Sequence, residues 1–244
     1  MIQVTNILLC LALAFGFPPT TTSHYTQDTY FSKSEMPDLV KLRLAPPKNH
    51  SIGFTYDIMR YEWGKEQRKD SWRSAIAVRD AVYSLRTITN EFSEPFGMII
   101  SEKETPEIYH LLKVALPSCD NICVEPKKYY MRKRPFVYFQ ESTITPWDEA
   151  GLSKNGSFPS GHTILGWSAA LLLSEINPER ADTLIARGRM FGESRVIVGV
   201  HWESDVQAGF IAGNMAVMKL HTCPRFLDDM KRAKAEFRRK RQIE

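Results

Sequence analysis

The sequence predicts an all-α protein, a single helical-bundle domain. Apolar residues recur at three- and four-residue steps along most of the chain, the period of a helix with one buried side. Strand signals, meaning alternating β-branched runs bounded by turn residues, are few. The 244 residues, 43% apolar and 25% charged, suit one core of ordinary globular composition.

Each element follows in order. Residues 7–17, ILLCLALAFGF, form an apolar run too short to span a bilayer. PPTTTS then stops a helix and supplies small residues. Residues 1–23 therefore read as a signal peptide, with the protein periplasmic or secreted after its removal. Residues 24–52, polar and with APP at 45–47, are expected to form an extended N-terminal arm. The main helical domain is expected over 53–225. Within it, residues 54–92 are mostly helical, with Tyr61, Gly64, Gln67, Arg68, Trp72, Ala75 and Val78 forming the packing side. Residues 105–116 open on Thr-Pro and keep helical spacing. Residues 125–136 read as a basic helix ending near Pro135, because a residue before proline avoids the helical region. A loop covers 138–158, and helices follow at 161–175, 179–194 and 200–221. The tail, residues 226–244, reads as a basic amphipathic helix that frays.

Composition excludes some functions. A net charge of +4 with no nucleic-acid motif does not point to DNA or RNA, but it is compatible with an anionic small molecule. No segment after the leader has eighteen uncharged apolar residues, so no membrane partner is expected once the leader is gone. Behind the leader stand Cys119, Cys123 and Cys223. An odd number allows at most one internal disulfide, Cys119 or Cys123 with Cys223; three plain buried thiols fit equally. No closely grouped ligands suggest a metal.

Chemistry gathers in three segments. KKYYMRKRP carries Lys127 and Arg134 within a basic run, which alone also describes a solvated face. GSFPSGHT places Ser160, Gly161 and His162 at the mouth of an apolar helix. A helix N-terminus offers free N–H groups and a positive dipole end, glycine allows close approach, and serine adds a hydroxyl, so the site suits phosphate. Ser160 is equally an ordinary N-cap when taken alone. SRVIVGVHWESD carries Arg195, His201 and Asp205. His201 and Asp205, four apart on an expected helix, share a face. There the carboxylate either fixes one imidazole tautomer and frees the other nitrogen for attack, or forms only a weak surface pair.

Taken together, Lys127-x6-Arg134-Pro135, Pro159-Ser160-Gly161-His162 and Ser194-Arg195-x5-His201-x3-Asp205 resemble the signature of the type 2 phosphatidic acid phosphatase superfamily. GSFPSGHT, GESRVIVGVHWESDV and YEWGKEQR resemble one branch, the bacterial class A non-specific acid phosphatases, over roughly residues 44–225. Phe158 stands where that branch usually has Tyr, and Val198 where it has Cys. The resemblance implies a helical domain and hydrolysis of phosphate monoesters such as nucleotides and sugar phosphates, without a metal or other cofactor. By it, His201 is the nucleophile, Asp205 orients it and His162 is the general acid. Lys127, Arg134, Ser160, Gly161 and Arg195 bind the phosphoryl oxygens. Vanadium haloperoxidases resemble the same signature, and a nucleotide-directed apyrase or phosphotransferase would use the same site. A Ser160–His201–Asp205 hydrolase lacks the GxSxG elbow and leaves three cations without a purpose. Self-association into a homo-oligomer is compatible with all of these.

Overall fold

The computed structural model describes residues 28–242. The expected signal peptide lies outside the described residues. Within them the chain forms eleven α-helices: α1 Ile52–Gln67, α2 Ser71–Asp80, α3 Leu85–Phe96, α4 Pro106–Asp120, α5 Val124–Tyr130, α6 Pro135–Phe139, α7 Pro146–Leu152, α8 Gly161–Ile176, α9 Ala181–Val198, α10 Glu203–Leu220 and α11 Pro224–Arg241. No strand occurs among the described residues, so the all-α expectation holds.

Local chemistry sets where these helices start. Ser51 accepts from the Phe54 amide (3.2 Å), Asp70 from Trp72 (2.9 Å) and Arg73 (3.2 Å), and Ser84 from Thr87 (3.1 Å). Each thereby satisfies amides that a helix start leaves unpaired. α4, α6, α7 and α11 instead begin on proline, whose missing N–H costs nothing there.

The Asp70 cap has a consequence for packing. It breaks the run of residues 54–92 and resets the helical phase, so the expected stripe holds only in its first part. α1 buries Phe54, Asp57, Tyr61 and Gly64. α2 buries Arg73, Ile76, Ala77 and Asp80, and Trp72 is exposed to solvent.

Three further expectations are corrected. Pro135 begins α6 rather than ending a basic helix: α5 stops at Tyr130, because Met131 takes the left-handed conformation (φ 40°). The expected loop 138–158 contains α7, started by Pro146. α11 does not fray. It buries Phe226, Met230, Ala233 and Phe237 against α4 and α8, with Phe237 and Phe96 ring centroids 5.2 Å apart. The Glu236 carboxylate also accepts from the amides of Glu107 (3.1 Å) and Ile108 (3.0 Å), capping α4 from a distant part of the chain.

α8 is the central helix, packed by α9, α10, α4 and α3. Its apolar run puts Ile164, Ala169, Leu172 and Leu173 out of contact with solvent. That burial answers why the segment is apolar all round. Residues 28–51 lie over the body, inserting Tyr30, Met36 and Leu39 into the main core. Cys119, Cys123 and Cys223 are all free thiols.

Candidate active site

The site forms where the N-termini of α8 and α10 meet the C-terminus of α9. Gly199 ends α9 in the left-handed region (φ 94°), which a residue with a Cβ disfavours. The chain then folds back so that the Arg195 carbonyl accepts from the amides of Val200 (3.2 Å) and His201 (3.3 Å). His201 therefore sits in a turn before α10, not on the helix as the spacing suggested. Asp205, in the first turn of α10, still reaches it: Oδ2 lies 3.3 Å from His201 Nδ1 and 3.0 Å from the Trp202 amide.

Lys127, Arg134, His201, Asp205 and Ser160 are linked by contacts, whereas Arg195 meets His201 through its backbone carbonyl and the His162 ring bonds Ala81. Lys127 Nζ and Arg134 Nη2 both donate to the Gly156 carbonyl, at 3.1 and 3.4 Å. Arg134 Nη1 donates to the Val200 carbonyl (3.0 Å) and lies 3.1 Å from His201 Nε2. The Ser160 amide donates to the Asp205 carbonyl at 3.0 Å, tying the start of α8 to α10. The Ser160 hydroxyl caps α8 at the Thr163 amide (3.3 Å), with Gly161 and His162 forming the first turn.

These contacts decide the tautomers. A guanidinium has only donors, so His201 Nε2 must present a lone pair to Arg134 and its proton sits on Nδ1, facing Asp205. His162 Nε2 lies 2.9 Å from the Ala81 carbonyl, which can only accept. That nitrogen carries a proton, and His162 titrates at Nδ1. The ring also packs edge-on against Tyr83, with centroids 4.7 Å apart.

The electrostatics are one-sided. Arg195 is fully buried, and none of its three guanidinium nitrogens has a hydrogen-bond partner among the described residues. Burial brings Arg134 and Arg195 each down to about 10, and Lys127, with Arg134 beside it, down to about 8. Burial and then Arg195 hold His162 well below the ordinary histidine range. Burial, then Arg134, Lys127 and Arg195, do the same to His201. Half-buried Asp148, on α7, is pushed upward by burial while the charges of Arg195 and Arg134 oppose that rise. Such a concentration of buried positive charge suits an oxyanion.

Behind Arg195, α9 is pinned by a buried ionic cluster. The Ser194 hydroxyl donates to Asp80 (2.7 Å) and accepts from Arg73 (3.0 Å), and Arg187 pairs with Asp80 and with Glu91 (2.9 Å). A cavity of about 300 Å³ opens beside the first turn of α8, lined by Tyr83, Ser84, Leu85, Leu116, Asp120 and Leu165 among others.

Known proteins resemble this chain over most of its length. The family model of the PAP2 superfamily matches residues 109–227, which include every expected site residue. The chain is 42% identical to a non-specific acid phosphatase of Providencia stuartii over 91% of its length and 90% of that protein's. It is 41% identical to one of Salmonella typhimurium over 91% and 89%, and 34% identical to an acid phosphatase of Zymomonas mobilis over 99% and 90%. The chain belongs to the PAP2 superfamily. Within it, the chain falls among the class A non-specific acid phosphatases.

Sequence reasoning missed several residues of this PAP2 site. Arg132 and Asp57 join the Asp205 carboxylate to α1, and Asp148 approaches the cations from α7. A signal for Asp57 was present: it lies four residues before Tyr61 and seven before Gly64, a carboxylate in an otherwise packing stripe. Gly161 is needed sterically as well. A Cβ there would meet Asp120 Oδ1 at 2.9 Å and Cys123 Sγ at 3.6 Å. Gly161→Ala is therefore expected to turn the Asp120 carboxylate aside and to crowd the amide side of the first turn of α8. Isothermal titration should show weaker binding of inorganic phosphate, with thermal stability changed by less than about 1 kcal/mol.

Proposed function

We propose that this acid phosphatase hydrolyses phosphate monoesters of broad range through a phosphohistidine intermediate, without a metal, in the periplasm or outside the cell. The buried, unpartnered guanidinium of Arg195 beside two histidines carries this reading most. An uncompensated buried charge is costly, and an arriving dianion removes the cost.

In this mechanism Lys127, Arg134 and Arg195 hold the phosphoryl oxygens, with the Ser160 hydroxyl and the Gly161 amide at the positive end of α8. The three cations spread over the equatorial oxygens, where transition-state charge accumulates. Substrate draws Arg134 onto phosphate and uncovers the His201 Nε2 lone pair. Nε2 attacks phosphorus, the P–O bond to the alcohol breaks, and the departing oxygen takes the His162 Nδ1 proton. Asp205, against Nδ1, stabilises the positive charge on the phosphorylated ring. Water then attacks phosphorus and gives a proton to His162 Nδ1, and the P–N bond returns its electron pair to His201.

The pH dependence follows from the two rings. His201 must be neutral to attack, and its lowered proton affinity places the rising limb well on the acid side. His162 must be protonated to act as an acid; its affinity is also low in the free protein, and a bound dianion raises it. Purified protein should therefore give a bell-shaped kcat/KM profile on the acid side of neutrality, with the falling limb of kcat at higher pH than that of kcat/KM. Assays in EDTA with a nucleoside monophosphate, ATP and a sugar phosphate test the whole reading. Activity on all three monoester and nucleotide classes fits it. A strict need for added metal, or a rate that climbs into alkaline pH, contradicts it.

A further inference from the structure

Arg132 has no part in the steps above, yet its side chain is only 9% exposed and both terminal nitrogens are hydrogen-bonded. Nη1 donates to Asp205 Oδ1 (2.5 Å) and to the Ser204 hydroxyl (2.8 Å). Nη2 donates to Asp57 Oδ2 at 2.6 Å. Asp57, fully buried on α1, also accepts from the Ser204 amide (2.8 Å) and hydroxyl (2.6 Å). The fork therefore ties three separate pieces together: α1, the turn before α6 and the first turn of α10.

The division of the Asp205 oxygens is informative. Oδ2 faces His201 Nδ1 and the Trp202 amide, and Oδ1 is taken by Arg132. A carboxylate held at one oxygen by a fixed donor cannot rotate, so the other oxygen stays aimed at the imidazole. Arg132 also sets a positive charge against Asp205 in a low-dielectric surrounding, and Asp57 partly offsets that charge in turn.

We infer that Arg132, anchored by Asp57 and Ser204, is a positioning residue that orients the Asp205 carboxylate toward His201 and tempers its negative charge. The inference rests on the proposed reading of His201 as nucleophile. The groups that act on the ring are Lys127 on α5, Arg132 and Arg134 before α6, His162 on α8, Arg195 on α9 and Asp205 on α10. Among them only Arg132 is saturated by two carboxylates. It stays in place through the cycle while the phosphate-binding cations exchange partners. Loss of Arg132 leaves Asp205 pulling unopposed on the Nδ1 proton, so the ring should protonate more readily. Loss of the Asp57 charge leaves Arg132 leaning more on Asp205, and the effect reverses.

The test is the pH profile of kcat/KM with p-nitrophenyl phosphate, with inorganic phosphate affinity and phosphoenzyme trapping measured alongside. Arg132→Gln should lose on the order of 10–100-fold in kcat, with its acid limb moved to higher pH by about one unit. Asp57→Asn should move that limb to lower pH. Arg132→Lys keeps the charge without the fork: kcat should fall about tenfold with the limb in place. If Arg132→Gln does not fold, the downward shift of Asp57→Asn beside the unmoved limb of Arg132→Lys decides. Acid limbs that coincide with wild type in Asp57→Asn and in every folded Arg132→Gln preparation would reduce Arg132 to a structural tie and overturn the inference. Failure of the nucleophile reading is separately visible, as a wild-type protein that traps no phosphoenzyme.

Discussion

His201→Ala should lose on the order of 10⁴-fold in kcat, and no acid-stable or base-stable phosphoenzyme should form from labelled substrate. That factor corresponds to about 5 kcal/mol of lost transition-state stabilisation. The surroundings make it a loss of chemistry rather than of binding. Arg134 keeps its bonds to the carbonyls of Leu152 (2.9 Å), Asn155 (3.2 Å) and Val200 (3.0 Å) when the imidazole is removed. Lys127 keeps its bond to Gly156, and Arg195 gains no new partner from the change. Affinity for inorganic phosphate should stay near the wild-type value. Rapid-quench labelling and phosphate titration on the same preparation separate the two. Label retained on the alanine variant would show that another residue attacks phosphorus.

The second large effect belongs to His162, and its size should depend on the substrate. A leaving alkoxide needs a proton in the transition state, whereas nitrophenolate leaves readily without one. His162→Ala should therefore lose on the order of 10³-fold in kcat/KM on a sugar phosphate and about tenfold on p-nitrophenyl phosphate. The tether to the Ala81 carbonyl presents Nδ1 as the titrating atom, so the whole effect should pass through one nitrogen. His162→Gln can keep a donor toward Ala81 yet has no titrating group, and it should match alanine in leaving-group dependence. Equal losses on both esters would remove the acid role.

The parts of this site that were legible from sequence are those whose chemistry resides in residue type. Two histidines, an aspartate, three cations and a Ser-Gly helix start fall into three short segments, and the fold joins Lys127, Arg134, His201, Asp205 and Ser160 by hydrogen bonds. Long apolar runs such as residues 164–173 likewise announced a buried helix. Punctuation was less readable. Pro135 is compatible with either end of a helix, and the choice is made by Met131 leaving the helical region four residues earlier. His201 lies off α10 because Gly199 turns the chain first, which a spacing of four cannot reveal. Arg132 was hidden for another reason. In a run of basic residues, only tertiary structure tells which one turns inward, and here the partner is an aspartate 75 positions away.

The cap that Glu236 places on the amides of Glu107 and Ile108 spans 129 positions of sequence. During synthesis, α4 therefore emerges long before its closing carboxylate exists, and the apolar surface that α11 will cover waits with it. Until α11 arrives, that face is open to solvent or to a holdase chaperone.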